Sequence, residues 1–126
     1  MHPDKFRNIL AFDAPGRYDY FVRKVCDFEA IWGLYKEGWA TGMTEHQASA
    51  IPVWPEQEFA ACCATGEWDG FTPKAIALHD FLDSWLPGAT AEGRAFAIFP
   101  TPSEKAVTVE SDRLLSDLRS EMASYT

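Results

Sequence analysis

Ile51-Pro52-Val53-Trp54-Pro55-Glu56 decides the reading of the fold, because two prolines bracket a short apolar strand end. Proline has no N–H to give a sheet ladder, so Pro52 is expected at an edge or a bulge. Pro55 suits the first turn of a helix running over 55–64, with Phe59, Cys62 and Cys63 on one face and Gly66 as its C-terminal cap. The stretch therefore predicts a strand-to-helix corner with a large indole, Trp54, at the bend.

Upstream, Phe6, Ile9 and Leu10 form a short apolar stripe that breaks at Asp13-Ala14-Pro15-Gly16. Tyr18, Phe21, Val22, Val25 and Cys26 then fall at i, i+3, i+4, i+7 and i+8, predicting an amphipathic helix capped by Asp13. Two apolar runs, 30–35 and 39–43, flank Lys36-Glu37-Gly38 and read as a β-hairpin. Residues 44–49 are a polar loop and 50–54 a third strand.

Downstream, 67–73 is turn-rich, with Trp68 and Phe71 expected to be exposed, and 74–78 is a short extended piece. Leu78, Phe81, Leu82, Trp85 and Leu86 mark a helix that Pro87-Gly88 should stop. Residues 95–99 and 106–109 form a second hairpin with a longer loop. Ser111 is placed to cap a last helix with the stripe Leu114, Leu115, Leu118, Met122 and Tyr125. Strands arrive in hairpins rather than after each helix. The predicted class is therefore α+β, a mainly antiparallel sheet of four to six strands packed by helices in a two-layer single domain over 1–126.

The apolar share is 47% and the aromatic share 14%, with five Trp and nine Phe, which excludes a disordered chain. No apolar run approaches the roughly 20 residues of a membrane span. Met1-His2-Pro3-Asp4-Lys5 lacks the basic-then-apolar layout of a signal peptide, so a cytoplasmic protein is expected. Eleven basic against nineteen acidic residues leave a net charge of −8, which argues against nucleic acid and anionic membranes as partners. Such a charge serves solubility, or steers the chain to a basic protein partner.

Motifs for chemistry are missing. The three cysteines, Cys26, Cys62 and Cys63, are odd in number and contain no C-x-x-C, so neither a zinc nor a redox motif is signalled. On a helix, adjacent Cys62 and Cys63 point about 100° apart, and free buried thiols are the expected state. No H-E-x-x-H, G-x-S-x-G or Gly-rich phosphate loop occurs; no metal and no cofactor is expected. His79 and Asp83, at i and i+4, could share a helix face, but Leu78, Phe81, Leu82 and Trp85 assign the opposite face to the core. Glu45-His46 sits in the polar loop. Glu56 and Glu58 open a helix, where the dipole already favours negative charge. The indoles are the remaining lead: Trp32 and Trp85 fit core positions. Trp39, Trp54 and Trp68 lie at strand starts or corners, where they either plug the ends of the sheet or form a recognition patch.

Arg17-Tyr18-Asp19-Tyr20-Phe21 with Lys24-Val25, Ile31-Trp32, Gly38-Trp39, Pro52-Val53-Trp54-Pro55, Phe59-Ala60, Trp68, Phe81-Leu82, Trp85-Leu86-Pro87 and Phe99-Pro100 together resemble the bacterial family catalogued as domain of unknown function 2750. The resemblance spans nearly the whole chain. It implies a small stand-alone bacterial domain and carries over no catalytic or binding residues. The expected function is a non-catalytic protein-binding domain, immunity-like by analogy, with Trp39, Trp54, Trp68, Glu56 and His79 as candidate binding residues. The alternative is a small hydrolase or ligand-binding domain with a cleft near Trp54, Trp68 and His79. Monomer and homodimer are both compatible with the sequence.

Overall fold

The computed structural model describes residues 1–43, 49–104 and 106–124. Glu45 and His46 of the polar loop, and Tyr125 of the last stripe, lie outside the described residues. Two helices come first, α1 (Pro3–Leu10) and α2 (Ala14–Phe28). The Asp13 carboxylate accepts the Gly16 N–H at 2.9 Å, satisfying one of the orphan donors at the start of α2. The expected stripe of α2 is buried in full, together with Arg17 and Tyr20, which periodicity does not mark.

Strands β1 (Ala30–Tyr35), β2 (Gly42–Met43), β3 (Ser49–Val53), β4 (Thr72–Ala77), β5 (Ala95–Ile98) and β6 (Val107–Glu110) form two sheets. One is the pair β1-β4; the other has the order β2-β3-β5-β6. Pairing is antiparallel except between β3 and β5, which run parallel because a long helical crossover separates them. The fold is thus α+β with mainly antiparallel sheets packed by helices.

The predicted hairpin over 30–43 holds only at its closed end. There Tyr35 bridges Trp39 and the Ala40 N–H donates to the Leu34 carbonyl at 2.8 Å. The second arm then leaves to pair with β3 as Gly42–Met43, and β1 finds its partner in β4, the segment expected only as a short extended piece.

β3 lies inside its sheet, not at an edge, yet it tolerates Pro52 for a local reason. Successive strand residues direct their backbone groups to opposite neighbours. The Val53 carbonyl accepts the Phe99 N–H on the β5 side at 2.9 Å, so Pro52 faces the other way. On that side β2 reaches only Ala50, and bonding resumes at Trp54, whose N–H and C=O both bond Trp32 at 2.8 and 2.9 Å. The missing donor falls in the gap. That Trp32–Trp54 bridge also joins the two sheets.

Four boundaries differ from expectation. Helix α3 (Gln57–Cys62) begins after Pro55, with Glu56 as an N-cap whose side chain makes no capping bond to the helix. Gly66, in a left-handed conformation (φ 59°), opens a short 3₁₀ turn (Gly66–Trp68) rather than closing α3. The helix after β4 does not stop at Pro87. α4 (Leu78–Asp80), a π-turn (Phe81–Trp85) and α5 (Leu86–Glu92) run on continuously, with the Leu86 N–H bonding the Phe81 carbonyl. The widened turn accommodates a ring that would otherwise clash with the preceding turn. Gly93 at φ 68° ends the helix instead. Before α6 (Ser111–Ala123) the cap is Glu110; Ser111 is the first helical residue, and its buried Oγ has no partner among the described residues.

The buried apolar residues form one cluster fed by α2, both sheets, α3, the long helix and α6, with Phe21, Val25, Ile31, Val53, Trp54, Phe59, Phe81, Phe96, Ile98, Phe99 and Leu114 fully enclosed. No helix among the described residues is long and apolar enough to cross a membrane.

Candidate functional site

The sequence candidates separate into two aromatic groups. Trp54 is fully buried. Its indole N–H donates to the Pro100 carbonyl at 2.9 Å, and Trp68 meets it edge-on, centroids 6.0 Å apart. Trp68 and Phe71 are half-buried rather than exposed, and the Trp68 N–H leans towards the Thr41 carbonyl at 3.4 Å. This group plugs the corner and is unavailable to a partner at Trp54.

The second group is accessible. Trp39 is half-buried with its ring against the backbone of Gly33, where a Cβ would come within 2.9 Å of two ring carbons. Trp85, at the end of the π-turn and half-buried rather than core, packs perpendicular to Trp39 at 4.9 Å. Tyr35 meets Trp39 edge-on at 5.2 Å. The ammonium of Lys74, opposite Gly33 in the β1-β4 register, stands 4.1 Å from the centre of the Tyr35 ring and 5.4 Å from that of Trp39. Sequence reasoning selected Trp39 and missed Tyr35 and Lys74. The available signal was Gly33 inside a strand, which marks a close approach to the backbone.

The other candidates do not join either group in a cleft. The exposed His79 ring pairs with the equally exposed Asp80 at 3.3 Å, not with Asp83. The Glu56 carboxylate accepts a hydrogen bond from the phenol of buried Tyr20. A hollow of about 630 Å³ is lined by Met1, Phe6, Arg7, Glu58 and Cys62 among others, and one of about 300 Å³ by Phe12, Asp13, Gly16, Asp19 and Arg23. Both are open and neither contains a candidate residue. Among the described residues no three His, Cys, Asp or Glu side chains converge as metal ligands do.

All three thiols are free. Burial pushes Cys26 up to about 11. The neighbouring Cys63 thiol lowers Cys62, while Cys62 together with burial raises Cys63. Cys62 nevertheless ends a helix, where the dipole disfavours a thiolate.

Two phenols are held protonated. Burial first, then the bond to Asp117, raises Tyr18 above its ordinary value; burial and the bond to Glu56 do the same for Tyr20. In the unfolded chain both ionise near about pH 10, so above that pH the folded state binds more protons than the unfolded one. Stability should therefore fall as pH rises past about 10. A double Tyr18→Phe, Tyr20→Phe variant should lose less Tm than wild type between pH 9 and 11; parallel losses would refute the assignment.

A family model described as "Protein of unknown function (DUF2750)" matches residues 18–118. A search of curated proteins found no match.

Proposed function

We propose, for a chain that belongs to the DUF2750 family, that it acts as a non-catalytic protein-binding domain of the bacterial cytoplasm and engages a basic partner through Tyr35, Trp39 and Trp85. The observation that carries this reading is the half-burial of three large rings, with Tyr35 and Trp85 each packed edge-on against Trp39. Trp and Tyr anchors of this kind supply much of the energy in protein interfaces. The net charge of −8 supports a basic partner, drawn in by long-range attraction. A hydrolase cleft gathered around His79, Trp54 and Trp68 has less support, because His79 stands in solvent beside Asp80 and Trp54 is fully buried.

Trp54 is unsuitable for the test, because its replacement attacks the core. Trp39→Leu combined with Trp85→Leu is the appropriate variant, with circular dichroism to show that it stays folded. Immobilised wild type is expected to retain a basic protein from a bacterial lysate, to release it as salt rises, and to lose it in the double variant. A partner held equally well by the variant would defeat the proposal.

A further inference from the structure

Lys74 is exposed, and among the described residues it pairs with no carboxylate, although the chain carries nineteen acidic residues. Its ammonium rests on aromatic rings instead, within the roughly 6 Å at which a ring quadrupole attracts a cation. Tyr35 and Trp39 stand 77° apart, so a cation in the corner meets both. The walls are set in advance: Gly33 backs Trp39 closely enough to exclude a Cβ, and Trp85 braces it. A preformed site loses little ordering entropy when a ligand enters.

We infer that Tyr35 and Trp39 form a cation-binding site in which Lys74 is an internal and displaceable occupant, and that an arginine side chain of the partner takes its place. Lys74 is strongly hydrated on a flexible stem, so its hold on an open ring face is weak. A guanidinium is planar, less hydrated and stacks on aromatic faces, and its attraction to the rings grows when an interface expels water. The net charge of −8 draws such a group in. The inference rests on the protein-binding reading only for the source of the cation.

Acetyl-arginine-amide is the probe, titrated against sodium chloride at matched ionic strength and followed by Trp fluorescence and aromatic NMR shifts. Lys74→Gln removes the occupant from an exposed position and should tighten the probe about three- to fivefold over wild type, the factor that a weak exposed cation–ring contact converts to. Adding Tyr35→Leu to Lys74→Gln should abolish the response. A Lys74→Gln titration no tighter than wild type, or one unchanged by Tyr35→Leu, would overturn the site. A silent titration beside a partner lost on Trp39 and Trp85 replacement would sink the cation site alone. The expected titration with no partner captured would keep the site and remove the protein-binding reading.

Discussion

Arg17→Met is expected to lower folding stability by about 3 kcal/mol, because two backbone carbonyls lose their donor and each orphaned group costs roughly 1–3 kcal/mol. Arg17 is fully buried. Its Nε donates to the Phe99 carbonyl at 3.0 Å, and Nη1 donates to the Phe12 carbonyl at 2.7 Å and to the Glu104 carboxylate at 3.0 Å. The Phe99 carbonyl matters most. Phe99 has φ 56°, a left-handed conformation that costs a bulky residue about 1–2 kcal/mol, and its ring is enclosed against Phe59 and Tyr20. The conformation persists because the Phe99 N–H is tied to Val53 and its carbonyl to Arg17. Arg17→Ala adds a cavity and should reach about 4–5 kcal/mol. The ion pair is the minor part: the Glu104 side chain is 59% exposed, so Glu104→Gln should cost under about 1 kcal/mol. Urea midpoints at constant slope separate the two. Equal losses for Arg17→Met and Glu104→Gln would show that the charge pair, not the carbonyls, carries the stability.

Arg17 also shows where the sequence stops being legible. The stripe of α2 is readable because Tyr18, Phe21, Val22, Val25 and Cys26 announce a buried face by spacing alone. An arginine in the same helix looks solvated, and two of the partners that hold it buried lie 82 and 87 residues away. Pairing of β1 failed for a similar reason. The local turn at 36–38 was visible and real, but strand choice beyond Trp39 depends on β4, nearly forty residues on. Pro87 is a helix stop by local rules, yet the helix runs through it to Glu92, because the π-turn before it is a tertiary accommodation that no local rule reports. For the candidate site, Trp39 was legible as an indole beside a turn. Tyr35 and Lys74 were not, because neighbours across a strand pair are fixed only once the register is known.

Trp54→Ala should be among the most damaging single substitutions in the chain, at about 3–5 kcal/mol, since it empties the largest fully enclosed side chain at the point where the two sheets meet. The cost has two parts that a second variant separates. Trp54→Phe keeps most of the ring volume and its edge contact with Trp68, but gives up the indole N–H to Pro100. That carbonyl would not be orphaned, because the Cys63 thiol also donates to it at 3.3 Å. Trp54→Phe should therefore cost under about 2 kcal/mol, and adding Cys63→Ala should cost more than the two single changes together, because only the pair strips the carbonyl of both donors. The backbone bridge to Trp32 is independent of the side chain, so the topology should survive in Trp54→Phe and far-ultraviolet circular dichroism should be unchanged. Strict additivity of the Trp54→Phe and Cys63→Ala losses would show that Pro100 draws nothing from the thiol, and that volume alone explains why an indole occupies this corner.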